Sequence, residues 1–205
     1  MSSLSSTRSN LRIVLTGGPG GGKTTALDLF RREFRERVAA VPESATIMFT
    51  GGFPRVDAAD ARRSAQTAIF HVQRNLEDVQ SALHPKRVLL CDRGTVDGAA
   101  YWPGEPDEFF REMNTTHDAE LARYDAVVFF QSAAAGGHGI EGGNPTRTET
   151  GEEALVLDKA LRELWGAHPR FFLVPHRASF FEKLSMGLAI LQSVVAQLDY
   201  AQNGA

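Results

Sequence analysis

A glycine-rich segment that ends in a lysine and two threonines carries the strongest chemical signal in the sequence. Residues 17–24 read Gly-Gly-Pro-Gly-Gly-Gly-Lys-Thr, the spacing of a phosphate loop. Glycines let successive backbone N–H groups point toward one centre, and such a nest binds anions. Lys23 would place a cation on the β and γ phosphates, and the Thr24 hydroxyl would hold Mg²⁺. The pattern predicts binding of a nucleoside triphosphate.

The residues on either side supply the setting that a phosphate loop requires. An apolar run at 11–15 predicts a strand before the loop, and apolar residues at helical spacing predict a helix after it, to about residue 37. The N-terminus of that helix adds unpaired N–H groups and a positive dipole end. A glycine-rich connection without a ligand is therefore the weaker interpretation. The predicted nucleotide-binding residues are Gly17, Gly18, Pro19, Gly20, Gly21, Gly22, Lys23, Thr24 and Thr25.

Five short apolar runs alternate with stretches of helical periodicity along the chain. Strands that alternate with helices pair in parallel through right-handed crossovers. We therefore expect one α/β P-loop domain over residues 11–200, with a five-stranded parallel sheet sandwiched by helices. The predicted strands cover residues 11–15, 38–41, 88–91, 126–130 and 171–174. The later helices are predicted at about 57–84, 116–123, 154–165 and 180–198, with Asp57 as the first cap and an irregular segment at 43–56.

An acidic residue followed by an arginine closes the third predicted strand. Ligands of such sheets bind beyond the carboxyl ends of the strands, so we expect Asp92 and Arg93 to face the phosphate loop. A carboxylate there orients Mg²⁺, with Thr24 as the second metal ligand. The alternative for Asp92 is a helix cap, because a Gly-Thr pair follows. Arg93 either contacts a phosphate or pairs with Asp97.

Polar residues also follow the second and fifth predicted strands. Glu43 is placed to accept a proton from an acceptor hydroxyl as that oxygen attacks the γ phosphorus. The alternative for Glu43 is a solvent-facing loop position. His176 follows the fifth strand, and we predict that it contacts the nucleotide.

The segment after the fourth strand predicts a lid. Five glycines and a proline lie between residues 131 and 146, too many for regular structure. We expect a lid at about 131–147 whose Arg147 supplies positive charge over the transferring phosphoryl group. The alternative is an ion pair between Arg147 and Glu149.

Two glutamines and three aromatic residues are candidates for binding an acceptor molecule. Gln66 and Gln73 lie on the long predicted helix, where they either hydrogen-bond a heterocycle or sugar or are ordinary surface residues. Phe53, Tyr101 and Trp102 either stack on a ring or belong to the core.

The composition is that of an ordinary globular domain. Its 205 residues are 42% hydrophobic and 23% charged, enough for a sizeable core. The net charge of −3 gives no basic field that favours nucleic acid or a membrane. The single cysteine, Cys91, fits a reducing cytoplasm. Residues 1–10 lack the apolar stretch of a signal peptide, and we expect a disordered tail on a monomer or homodimer.

Taken together, these motifs resemble one family, the AAA-labelled ATP/GTP-binding P-loop proteins related to the nicotinamide riboside kinase-type domain of the bacterial NAD-biosynthesis regulator. The match runs across residues 11–190. The resemblance implies a nucleoside/nucleotide kinase-like fold and a lid that carries Arg147. It also implies an acidic residue after the second strand, here Glu43, and ATP or GTP with Mg²⁺ as cofactors. The Asp92-Arg93 step is also similar to that of deoxynucleoside and thymidylate kinases. The motifs are Gly-Gly-Pro-Gly-Gly-Gly-Lys-Thr-Thr at 17–25, Val-Pro-Glu-Ser-Ala-Thr at 41–46, Cys-Asp-Arg-Gly-Thr-Val-Asp at 91–97, Tyr-Trp at 101–102, Tyr-Asp-Ala-Val at 124–127 and Asn-Pro-Thr-Arg-x-Glu at 144–149.

Three functions fit these features. The first is a small-molecule kinase, which transfers the γ-phosphate of ATP to a nucleoside- or nucleotide-like acceptor. The second is a regulatory NTPase or switch that has no small-molecule acceptor. The third, phosphorylation of nucleic-acid ends, requires a basic groove that the acidic net charge does not predict. ATP is favoured over GTP because the sequence has no Asn-Lys-x-Asp guanine-reading motif.

Overall fold

A five-stranded parallel β-sheet forms the centre of the protein. In the computed structural model, which describes residues 10–136 and 150–203, the strand order is β2-β3-β1-β4-β5. The phosphate-loop strand is therefore central, and the prediction of a single α/β domain with a five-stranded parallel sheet is confirmed. The strands are β1 (Arg12–Thr16), β2 (Val38–Val41), β3 (Val88–Asp92), β4 (Ala126–Phe130) and β5 (Phe171–Val174).

Helices cover both faces of the sheet. Those described are α1 (Lys23–Phe34), α2 (Ser44–Thr50), α3 (Ala59–Leu83), α4 (Asp97–Ala100), α5 (Pro106–Glu112), α6 (His117–Leu121), α7 (Gly151–Gly166) and α8 (Phe180–Asn203). Short 3₁₀ turns occur at Arg35–Arg37 and Ala133–Gly136. In the described residues, no helix combines the length and apolar character needed to cross a bilayer.

Alternate residues of each strand pack into two separate cores. Ile13 and Leu15 of β1 face α1 and α8, where they meet Phe30 and Leu191. Between them, Val14 points to the opposite face and joins the core that contains Phe70 of α3, Phe109 of α5 and Trp165 of α7. Every residue of β1, β3 and β4 is buried, as expected for parallel strands covered on both faces.

The chain reverses direction across the sheet at the phosphate loop. From β1 the chain runs through α1 to β2, at one edge of the sheet. It then returns to β3, beside β1, and passes β1 to reach β4 on the other side. With right-handed connections, α1 lies on one face and α3 on the other. The loop after β1 is thus a topological switch point, where α/β sheets open a ligand crevice.

Several predicted boundaries need correction. Residues 43–56 are not all irregular, because α2 occupies Ser44–Thr50; seven residues are too few to show a helical period, and the helix ends at Gly51. The long helix starts at Ala59 with Ala58 as its N-cap, so Asp57 is not the cap. The first helix ends at Phe34 and continues only as a 3₁₀ turn.

Candidate functional site

The phosphate loop leaves β1 and enters α1 through glycines in conformations that other residues rarely adopt. Gly22, the N-cap of α1, has φ 84°, in the left-handed region. Gly17 has φ 131°, and a Cβ there would lie 2.0 Å from the Phe130 carbonyl oxygen of β4. Both positions therefore require glycine, Gly17 because the loop packs closely against β4 and Gly22 because its backbone is left-handed.

Lys23 lies within the loop. Its side chain curls back, so that Nζ donates to the carbonyl oxygens of Gly17 at 2.7 Å and Gly18 at 2.8 Å. The residue is only 1% exposed. Its ammonium group is thus held at the nest of the loop, the position from which it can reach bound phosphates.

Thr24 and Asp92 meet at the base of the loop. The Thr24 hydroxyl donates to Asp92 Oδ2 at 3.0 Å, while Oδ1 is buried and has no hydrogen-bond partner among the described residues. Burial and the nearby Glu43 carboxylate raise the pKa of Asp92 to about 6, against the opposing effect of Lys23 and Arg93. A buried carboxylate oxygen without a partner beside a threonine hydroxyl is a donor set that fits Mg²⁺, which needs few protein ligands besides substrate phosphates.

The side chain of Arg93 bridges two carboxylates. Its Nε donates to Glu43 Oε1 at 2.5 Å and its NH1 group to Asp97 Oδ1 at 2.8 Å. The guanidinium carbon lies 5.4 Å from the centre of the Tyr101 ring. The alternative interpretation, a pair with Asp97, is therefore observed, and a second ion pair to Glu43 accompanies it. The backbone of Arg93 has φ 69°, a strained conformation for arginine.

Glu43 is directed into the protein. Its side chain is 13% exposed, so the solvent-facing alternative is wrong. Thr46 donates to Oε2 at 2.6 Å, while Oε1 accepts from Arg93. Burial alone would raise the pKa of Glu43, but the Arg93 guanidinium, the Thr46 hydroxyl and Lys23 together hold it below its usual value. Glu43 is thus an ionised carboxylate close to the phosphate loop.

A cavity of about 770 Å³ extends from the phosphate loop past Glu43 and Arg93. Helices α2, α3, α4 and α7 surround it. Gln66 of α3 lines this cavity, as does Gln73 at its inner end. The amide of Gln73 is already engaged, because it accepts from Ser44 N at 3.4 Å and donates to the Arg93 carbonyl at 3.3 Å. Gln66 is therefore the better candidate to bind an acceptor.

The three candidate aromatic residues have different positions. Trp102 is buried in the core. Tyr101 lines the cavity, whereas Phe53 is partly exposed and is absent from the lining. Phe49 of α2 lines it instead. Because residues 43–56 were predicted to be irregular, Phe49 was not recognised as a candidate: its side chain is directed into the cavity only by the helix α2.

His176 and Arg147 are less closely tied to the described site. The backbone N–H of His176 donates to the Gln131 side chain at 2.9 Å, so the residue lies beside the end of β4, and it is not part of the cavity lining. Residues 137–147 of the predicted lid, which include Arg147, lie outside the described residues. The segment begins with the 3₁₀ turn Ala133–Gly136, although we expected no regular structure there.

Two aspartates have roles at the site beyond those expected from the sequence, which named Asp97 only as a possible partner of Arg93 and did not single out Asp158. Asp97 accepts from Thr16 at 2.8 Å and from the Trp165 indole at 3.0 Å. Asp158 of α7 accepts from the backbone N–H groups of Gly18 and Ser132. Asp158 could have been recognised from the sequence, because it is a carboxylate on the apolar face of α7, between Ala154 and Leu161.

Comparisons with known proteins agree with this geometry. Residues 12–183 match the model of an AAA domain family. Among solved structures, thymidylate kinase from Ehrlichia chaffeensis superimposes with a TM-score of 0.62 at 14% identity, over 91% of this chain and 98% of that one. No curated protein matches in sequence. The closer relation to the NAD-biosynthesis regulator stays a prediction, but the chain belongs to the AAA domain family and has a P-loop nucleoside/nucleotide kinase fold.

Proposed function

We propose that this protein is a Mg²⁺-dependent kinase that transfers the γ-phosphate of ATP to a small nucleoside- or nucleotide-like acceptor in the cytoplasm. One observation carries the proposal: the 770 Å³ cavity runs from Pro19 of the phosphate loop to the carboxylate of Glu43. A nucleotide in the loop would therefore point its γ-phosphate toward a space that can hold a second substrate.

The phosphate loop supplies the donor half of the reaction. Its backbone N–H groups and the N-terminus of α1 would bind the phosphates, and the Lys23 ammonium group adds a positive charge. Thr24 and Asp92 would hold Mg²⁺, which would supply positive charge to the phosphates of the nucleotide. Asp158 holds the first part of the loop in place through Gly18.

Glu43 and Arg93 supply the acceptor half. The ionised Glu43 accepts a hydrogen bond from the acceptor hydroxyl and takes its proton as the new bond to phosphorus forms. The lowered pKa keeps Glu43 ionised and able to accept this hydrogen bond. A weak base is sufficient, because phosphoryl transfer has a loose transition state and depends mainly on positioning and charge. Arg93 holds the carboxylate in place. Arg147, on the segment before α7, is the proposed cation over the transferring group.

A regulatory NTPase without a small-molecule acceptor has less support. A switch needs no cavity of this size beside the γ-phosphate position, nor an ordered carboxylate that faces it. The structural neighbour is a thymidylate kinase, and this likeness also supports a nucleotide-like second substrate.

The test measures ADP release from Mg²⁺-ATP with a panel of nucleosides and nucleoside monophosphates. We expect acceptor-dependent ADP release that falls by about 10²–10³ in Lys23→Ala, because one preorganised contact to the phosphates is lost. Lys159→Ala is the control, since Lys159 is exposed on α7. ADP release that no acceptor stimulates would favour the regulatory function, and full turnover in Lys23→Ala would overturn the nucleotide site.

A further inference from the structure

The inner end of the cavity carries an excess of negative charge. We call Glu43, Arg93 and Asp97 the cavity floor; their side chains are 13%, 11% and 6% exposed. Both carboxylates bind the same guanidinium, at 2.5 and 2.8 Å. The floor therefore has two negative charges and one positive charge, and its arginine is already shared between two anions.

The outer part of the cavity does not reverse this balance. Arg62 donates to the Tyr101 carbonyl at 3.0 Å, and Arg55 lies over the Phe49 ring at 5.3 Å. Both are exposed, as are the acidic residues around them. In sequence, residues 137–149 hold one arginine and two glutamates, so they add no positive excess. The charged residues of the lining are Glu43, Asp57, Asp97, Glu152 and Glu153 against Arg55, Arg62 and Arg93.

We propose that the acceptor reacts through an uncharged hydroxyl, as in a nucleoside or related polyol, and not through a phosphate. This inference rests on the proposed kinase function and selects between its two acceptor classes. A phosphate monoester carries close to two negative charges at neutral pH. At the cavity floor it would meet two carboxylates, and Arg93, the cation of the floor, is already shared between them. A hydroxyl instead donates a hydrogen bond to Glu43.

The chemical step is balanced for this acceptor. The hydroxyl oxygen forms a bond to the γ phosphorus as the bond from that phosphorus to the β–γ bridging oxygen breaks. The hydroxyl proton passes to the Glu43 carboxylate, and ADP carries away the electron pair of the broken bond. The phosphorylated acceptor then adds a phosphate next to the acidic floor, and the resulting repulsion favours its release.

The rest of the cavity fits a ring attached to that hydroxyl. Gln66 offers an amide to a heterocycle or sugar, and Ile69 and Phe70 present apolar surface on the same face of α3. Phe49 of α2 and Val156 of α7 add further apolar surface to the lining. A neutral molecule with a polar end and a flat apolar body is therefore the chemistry that this lining selects.

Binding measurements separate the two acceptor classes without depending on turnover. The probes are thymidine, uridine and guanosine, each paired with its 5′-monophosphate, titrated by calorimetry in the presence of Mg²⁺ and a non-hydrolysable ATP analogue. We expect the best-bound nucleoside to bind at least about tenfold more tightly than its monophosphate, because like charges at a buried site are strongly unfavourable. Added salt should narrow that gap by screening the repulsion.

A charge change at the floor gives the second readout. In Glu43→Gln the floor becomes one guanidinium and one carboxylate, so the dissociation constant of the monophosphate should fall by about tenfold while nucleoside binding changes far less. Glu163→Gln, an exposed carboxylate on α7, is the matched control and should change neither.

Three results would overturn the inference: a monophosphate that binds as tightly as its nucleoside, affinity for the monophosphate that falls with salt, or the absence of binding by any probe. Selective nucleoside binding without phosphate transfer would instead support a nucleoside as the ligand of the cavity and contradict the kinase function.

Discussion

Asp158 of α7 accepts a hydrogen bond at 2.9 Å from the backbone N–H of Gly18 in the phosphate loop. The same oxygen, Oδ1, accepts from Ser132 N at 2.8 Å. A Cβ at Gly18 would lie only 2.6 Å from that oxygen, so the loop and the helix are in direct contact. One carboxylate therefore joins the loop, the end of β4 and the helix that follows the predicted lid.

Replacing Asp158 by alanine should destabilise the protein and weaken nucleotide binding. Two buried N–H groups would lose their acceptor, at a cost on the order of 2 kcal/mol or more in the free energy of unfolding. Asp158→Asn is the matched control, because its side-chain oxygen can still accept both bonds. Urea denaturation and nucleotide titration measure the two effects. If Asp158→Ala matches the wild type in both, the contact does not position the loop.

Asp92→Asn should keep the fold but weaken the effect of Mg²⁺ on nucleotide binding. The substitution keeps the hydrogen bond from Thr24 and removes the negative charge that a divalent cation requires. Nucleotide affinity measured with Mg²⁺ and with EDTA gives the metal dependence directly. Asp28→Asn, at an exposed position on α1, is the control. A metal dependence equal to that of wild type would limit Asp92 to a structural contact with Thr24.

Lys183 should make the stability of the protein rise with pH in the alkaline range. Burial lowers the pKa of Lys183 to about 8, against the opposing attraction of Asp158. Between pH 8 and about 10.4, the usual lysine value, the unfolded chain binds a proton that the folded protein does not, so this group stabilises the fold as pH increases. Its Nζ still donates to the Gln131 carbonyl, at 2.5 Å. In Lys183→Met this pH dependence disappears. The free energy of unfolding of the wild type minus that of Lys183→Met should therefore increase from pH 7.5 to 10. A difference that stays constant with pH would contradict the prediction.

The sheet and the phosphate loop could be predicted because their signals are local. Parallel strands buried on both faces are continuous apolar runs, and the runs at 38–41, 126–130 and 171–174 match β2, β4 and β5 at both ends. The loop fits a contiguous pattern between such a strand and a helix. By contrast, α2 was too short to show a period, although it carries Phe49 into the cavity.

The contacts that organise the site could not be predicted, since their partners are far apart in the chain. Asp158 lies 140 residues from Gly18, and Trp165 lies 68 residues from Asp97. Arg93 has one local partner and one distant partner. Its pair with Asp97, four residues away in the chain, was one of the two alternatives predicted from the sequence. Its pair with Glu43 spans 50 residues and follows only from the β2–β3 register.

Arg93→Ala should be among the most damaging single substitutions in the protein. It removes the cation between the buried carboxylates of Glu43 and Asp97 and leaves them facing each other without compensation. Breaking a buried ion pair from one side costs about 3–5 kcal/mol, so urea denaturation should show a loss of this size. Arg35→Ala is the matched control, because Arg35 is exposed and also has a positive φ, 46°; it should change stability by less than about 1 kcal/mol.

Arg93→Lys then separates charge from geometry. Lysine restores the positive charge but lacks the planar fork that donates to two carboxylates at once. We therefore expect Arg93→Lys to recover most of the stability lost in Arg93→Ala, while phosphate transfer to the acceptor stays reduced because Glu43 is no longer held in place. Nucleotide affinity, measured in parallel, should remain near wild type in Arg93→Lys, since the phosphate loop is intact. If transfer recovers together with stability, Arg93 acts through its charge alone and does not position Glu43. If nucleotide affinity falls instead, Arg93 contacts the phosphates, as its position after β3 first indicated.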